Sequence, residues 1–138
     1  MIDKINIRVY AIYLNEKNEL MALDERYAGE KLIKLPGGGL EFGEGTIECL
    51  HREFAEELNL KIEVLEHFYT QEDFLVSRFR ENEQLLTIYY TVNILNLDEL
   101  KILDDSIENV KWVSLHEENP LPLPIDKIVF EKLKEKLF

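Results

Sequence analysis

The stretch Pro36-Gly37-Gly38-Gly39-Leu40-Glu41-Phe42-Gly43-Glu44-Gly45 runs straight into Thr46 to Leu60, TIECLHREFAEELNL, and the reading of the chain turns on it. Five of the six glycines fall between Gly37 and Gly45. That density signals unusual dihedrals and close backbone approach, so this part is not expected inside a helix or strand. Thr46 can cap the helix that follows, with Glu48 in its first turn favoured by the helix dipole. Ile47, Leu50, Phe54 and Leu58 recur at helical spacing as one apolar stripe. Asn59 then suits the left-handed position at which a helix ends.

A helix advances about 100° per residue, so Glu53, Glu56 and Glu57 share one face, well away from the apolar stripe. Cys49 lies a turn earlier near that face and Arg52 borders it. Neighbouring carboxylates repel by a few tenths of a kcal/mol per exposed pair, about as much as a helical ion pair gains. A divalent cation gives the arrangement a purpose, since magnesium and manganese take oxygen ligands from carboxylates and phosphate. One cysteine and three scattered histidines make no convincing zinc site. Surface helices are often rich in glutamate, and three acids alone would mean little. The glycine segment just upstream, with Glu44 and Arg52 at definite offsets, sets this helix apart.

Gly38, five residues, Glu44, seven residues, Arg52-Glu53-Phe54, one residue, Glu56-Glu57, one residue and Asn59-Leu60 resembles the Nudix box. The approach through Leu35-Pro36-Gly37 is also similar to that of the Nudix hydrolases, the MutT-like pyrophosphohydrolases. The resemblance covers Gly38 to Leu60 and departs at Asn59, where members usually carry glycine. It implies an α/β/α sandwich with a mixed, curved β-sheet between helices, in a single domain spanning residues 1–138. By the same resemblance Glu56 and Glu57 become metal ligands, and Glu53 a third ligand or the base acting on water. Arg52 holds a glutamate in position, Glu44 supports the junction of loop and helix, and Gly37 or Gly38 offers a backbone carbonyl. The implied cofactor is Mg2+, with Mn2+ as a substitute. The implied reaction is attack of water on a phosphorus of X-O-P-O-P-Y. Members often add a carboxylate from a later loop, for which Glu83, Asp104 and Asp105 are the candidates.

Outward from this segment, Ile5 to Leu14 and Leu20 to Leu23 read as strands of a hairpin around a polar turn, with a loop at Tyr27 to Lys31. Leu60, Ile62 and Val64 resume strand alternation. Phe74 to Glu83 reads as loop, and Leu85 to Leu95 as a strand apolar enough to be covered on both faces. Val110 to Leu115 is a further strand. Ile125, Ile128, Val129, Leu133 and Leu137 give the last segment an amphipathic helical face.

Loop aromatics (Tyr27, Phe42, Phe68, Tyr69, Phe74 and Phe79) are candidates to stack on a nucleobase. Gly38, Gly39, Arg78 and Arg80 are candidates to meet phosphates. The expected partner is a small nucleotide-like diphosphate, with triphosphates and dinucleoside polyphosphates open. A noncatalytic phosphate-ligand sensor on the same scaffold is the alternative, although such a protein would be expected to have lost these acids. The net charge of -12 weighs against nucleic acid, including RNA cap chemistry, and against anionic membrane surfaces. No apolar run reaches the roughly 20 residues that span a bilayer. With one cysteine and no basic-then-apolar leader, the expectation is a cytoplasmic protein, and a homodimer is permitted by the resemblance.

Overall fold

Alternation along two strands explains the layers of this protein. In a computed structural model describing residues 1–138, Val9 and Ala11 face one core and Tyr10 and Ile12 the other. Met21 and Leu23 likewise oppose Leu20 and Ala22. Both faces of these strands are therefore buried, which requires a layer of cover on each side. The first core is closed by Leu50, Phe54 and Leu58 of α1 (Thr46–Leu58). The second is closed by Ile125, Val129, Phe130 and Leu133 of α2 (Pro124–Leu137). The result is an α/β fold with a mixed, curved sheet layer flanked by helices.

The layer is made of two sheets. In the first, β1 (Lys4–Ile12) pairs in parallel with β6 (Glu83–Ile94). It pairs antiparallel with β4 (Gly37–Gly39), and β5 (Ile62–Thr70) lies beyond β6. The second sheet is antiparallel, with β2 (Glu19–Tyr27) between β3 (Glu30–Lys34) and β7 (Ile107–Ser114). A 3-10 turn, Leu97–Glu99, follows β6. No helix is long and apolar enough to cross a membrane.

Several expectations give way here. The glycine run does contain a strand: Gly37, Gly38 and Gly39 stand opposite Tyr10, Val9 and Arg8. At Gly37 only a residue without a side chain fits, because a Cβ there would lie 2.1 Å from the Val9 carbonyl oxygen. β1 and β2 are joined by a tight turn, with Met21 N–H donating to Tyr13 O at 2.9 Å, but they part into different sheets instead of continuing as a hairpin. The loop expected at Tyr27 to Lys31 shrinks to Ala28-Gly29, both at positive φ, with strands running up to it on either side. Gly45, not Thr46, is the cap of α1; the Thr46 hydroxyl meets the Tyr90 hydroxyl instead. Ile47 is exposed, and buried Cys49 takes its place on the apolar side. Leu137 is exposed as well, past the last contact of α2 with the core.

Asp126, in the first turn of α2, is buried. Its Oδ1 accepts a hydrogen bond from the Tyr89 hydroxyl at 2.6 Å, and Oδ2 has no partner. Burial pushes this carboxyl up to about 6, against about 3.9 in an unfolded chain. The folded state binds the proton more tightly, so the stabilisation is complete below about pH 4 and is lost as pH rises through about 6. Denaturant unfolding of the wild type and of Asp126→Asn checks this. The wild type should lose stability relative to the variant across that window, and a pH-independent difference would contradict the assignment.

Candidate active site

Helix α1 sorts its side chains by face. Leu50, Phe54 and Leu58 are buried in the core, and full burial of each stabilises by about 1.5–3 kcal/mol. Glu53, Glu56 and Glu57 point the other way and line one open cavity of about 520 Å³. The N-terminus is fixed by the Gly45 N–H, which donates to Glu48 Oε1 at 3.1 Å. At the other end Asn59 adopts φ 58° and ψ 34°, the left-handed turn expected of it. Its amide does more than replace a glycine, since Nδ2 donates to the Glu99 carbonyl at 3.1 Å.

That contact begins a second segment along the end of α1. Lys101 N–H donates to the Leu58 carbonyl at 3.0 Å and Leu103 N–H to the Glu57 carbonyl at 2.8 Å. Carbonyls that a helix C-terminus leaves without partners thus dock the segment that carries Asp104. Ser106 then orients it: its N–H donates to Asp104 Oδ1 at 2.9 Å. Its hydroxyl lies 2.8 Å from Asp104 Oδ1 and 3.2 Å from Glu25 Oε1. One hydroxyl therefore spans two carboxylates from distant parts of the chain.

Arg52 gathers the rest. Its Nε and Nη2 form a fork on Glu44, at 3.0 and 2.7 Å, and Nη2 also donates to the Gly39 carbonyl at 2.9 Å. Nη1 donates to Glu53 at 2.9 Å and Glu56 at 3.3 Å. One guanidinium so joins β4, the glycine loop and the acidic helix face, with the two-pronged geometry only arginine offers. The hydrogen bonds from Arg52, and then the Glu41 backbone, hold the Glu44 carboxyl down to about 2. Burial pushes the Cys49 thiol up to about 12, leaving it a neutral neighbour 3.6 Å from the Gly39 carbonyl.

Carboxylate oxygens of Glu25, Glu57 and Asp104 come within 4.8 Å of one another. Desolvation, with Glu53 beside it, pushes the Glu57 carboxyl up to about 9. Burial is the main cause, and Lys34, which stands 2.7 Å from Glu25, works against it. An all-oxygen cluster of this kind suits a hard divalent cation. The same cavity is lined by Gly37, Gly38, Gly39 and Asp105, so most of the sequence-derived candidates meet in one place.

Others do not. Glu83 is in β6, where it is buried and accepts a hydrogen bond from Asn6 Nδ2 at 2.8 Å. Tyr27 packs edge-on to Phe79 and lines, with Arg78 and Arg80, an adjoining cavity of about 100 Å³. Arg78 is engaged with Glu30. Phe42 and Phe74 are exposed, while Phe68 and Tyr69 pack on the second core. Sequence reasoning passed over Glu25, Arg8 and Lys34, all of which line the acidic cavity. Glu25 had a readable signal, because its parity with Met21 and Leu23 places it on their buried face.

The family profile described as NUDIX domain matches residues 4–133. The chain belongs to the Nudix hydrolase family. Its hydrolase fold recurs in the MutT protein of Methanosarcina mazei Go1, 22% identical with a TM-score of 0.78 over 99% of this chain and 97% of that one. A MutT Nudix hydrolase from Burkholderia pseudomallei gives 0.79 at 16% identity, over 95% and 99%. Nucleoside triphosphatase NudI of Enterobacter sp. (strain 638) is 29% identical over 93 residues, which are 64% of this Nudix chain and 66% of that relative. Slightly under two thirds of the relative's length is thus matched.

Two adjacent glycines should separate stability from activity in this Nudix protein. A Cβ at Gly38 would stand 2.6 Å from the Glu53 carboxyl carbon, the movable end of a side chain, whereas one at Gly37 meets fixed backbone at φ 140°. Gly38→Ala should keep the fold and lower turnover at least about 10-fold by displacing Glu53. Gly37→Ala should cost about 2–4 kcal/mol of stability. Equal effects of both substitutions on unfolding midpoint and turnover would contradict this division.

Proposed function

We propose that this chain is a magnesium-dependent hydrolase that cuts the diphosphate linkage of a nucleotide or nucleoside diphosphate derivative, X-O-P-O-P-Y. The observation that carries the reading is the convergence of Glu25, Glu57 and Asp104 beside Glu53 and Glu56 in a cavity open to solvent. Family membership supports the general chemistry, hydrolysis of a diphosphate-containing substrate. In an adjoining cavity the rings of Tyr10, Tyr27 and Phe79 stand among charged residues such as Arg8, Arg78 and Arg80, which supports a substrate joining a flat ring to phosphate. The Enterobacter relative is named a nucleoside triphosphatase, which places nucleoside triphosphates among the substrates to try.

Glu57, Glu56, Glu25 and Asp104, with a Gly37 or Gly38 carbonyl, are the groups that would hold Mg2+ or Mn2+, and Glu53 either joins them or serves as base. Such an ion supplies charge neutralisation for phosphate oxygens and a lowered pKa for water. Glu53 is suited to accept the proton of the attacking water, because Arg52 and the bare Gly38 fix where its carboxylate sits. Arg52 positions, and its own charge is spent on Glu44, Glu53 and Glu56. The phosphates gain most from positioning and charge compensation, as phosphoryl transfer requires. All the box acids are retained, which favours turnover over a sensor that only binds.

The test is a screen of nucleoside triphosphates, diphosphate sugars and dinucleoside polyphosphates with Mg2+ against an EDTA control, products identified. Glu53→Gln should lower turnover about 10²–10⁴-fold. Glu57→Gln should lower it beyond the about 10- to 100-fold typical of an outer partner, while metal-free stability holds, because the amide is as neutral as the protonated carboxyl it replaces. Undiminished turnover in Glu57→Gln, or release of the same products in EDTA, would overturn the reading.

A further inference from the structure

Two cations line the acidic cavity, and they are not alike. Lys34 Nζ lies 2.7 Å from Glu25, so its charge is answered within the protein. Arg8 has no carboxylate within 4 Å, and its single side-chain hydrogen bond runs from Nε to the Tyr10 hydroxyl at 2.6 Å. Yet Arg8 is half-buried in a chain of net charge -12, where an acidic partner would be easy to supply. Its Nε is engaged and neither Nη group has a hydrogen-bond partner, while Glu53 and Glu25 act on its charge only from beyond ion-pair distance.

That space is where three cavities meet. Arg8 lines the acidic cavity of about 520 Å³, the aromatic-sided one of about 100 Å³ and a third of about 490 Å³ toward Lys4 and Arg80. Opposite it in the register is Gly39, where even a Cβ would stand 3.6 Å from Arg8 Nη1. A side chain at position 39 would thus sit in ordinary contact with the guanidinium. A ligand reaching from the carboxylate cluster into the aromatic-sided cavity has to pass this group.

We propose that Arg8 is a phosphate-binding residue: its free Nη edge grips the phosphate on the organic side of the scissile linkage, between the carboxylate cluster and the aromatic-sided cavity. The proposal rests on the diphosphate reading above and deepens it by naming the residue that orients the substrate. An Nε anchored on Tyr10 leaves two coplanar donors, which match two oxygens of one phosphate. Lys34 completes the charge on the same side but remains tied to Glu25. Arg8 thus opposes the acids electrostatically, so the substrate enters in one direction, with its phosphates toward the cluster.

The test is calorimetric binding of non-hydrolysable α,β-methylene nucleoside diphosphates of four bases in Mg2+, with the matching nucleosides measured by competition. Arg8→Met should weaken the tightest-binding diphosphate analogue about 10- to 100-fold, the worth of a charge-assisted pair, and leave the nucleoside unchanged. Arg8→Lys should recover part of the loss, and Arg8→Gln serves if the methionine variant does not fold. Undiminished analogue binding in Arg8→Met, or an equal loss of nucleoside and analogue, overturns the proposal. Wild-type hydrolysis in Mg2+ separates the two failures: turnover with unaffected analogue binding in Arg8→Met removes Arg8 alone. A wild type that neither binds the analogues nor cleaves any diphosphate removes both readings.

Discussion

Carboxylates gathered at one point repel, and the site depends on holding them together. Two unit charges no more than 4.8 Å apart, at a dielectric of about 20, cost roughly 3.5 kcal/mol or more. The protein meets this with cations and with backbone. Arg52 ties Glu44, Glu53 and Glu56 to one guanidinium, and Lys34 sits on Glu25. Asp104 is brought in by N–H groups that dock on the end of α1. At Glu57 burial, with Glu53 beside it, pushes the carboxyl up to about 9, so that a proton also relieves the repulsion. A divalent ion bound among these acids would take the place of that proton.

This constraint also explains the glycines. β4 is squeezed between β1 and the acid face of α1, with no room for a side chain toward Val9 on one side or Glu53 on the other. A glycine strand brings backbone carbonyls up to the acids, and Arg52 fixes one of them at Gly39. Local sequence and global packing therefore agree at this point, even though the segment violates ordinary strand composition.

The helix, its acids and Asn59 were legible in the sequence because their spacing is local and helical. The strand at Leu85 to Ile94 was legible from its β-branched and aromatic residues, although many of them are only partly buried and Leu95 lies exposed beyond its end. The division into two sheets was not, since the pairing of β1 with β6 joins Val9 to Ile88 across most of the chain. Arg8 and Lys34 were hidden for a related reason: each shares its strand with another cation, Lys4 or Lys31, and only tertiary approach sets it at the acids. Asp104 could be named but not chosen over Glu83, because the contacts that carry it to α1 are backbone bonds with no side-chain signature.

A crystal structure grown with Mn2+, with anomalous scattering used to place the ion, tests the central claim most directly. An ion about 2.1 Å from Glu57 and sharing at least one further oxygen of Glu53, Glu56, Glu25 or Asp104 is the result this account predicts. Manganese bound only elsewhere on the surface, with the five acids left apart, would contradict it.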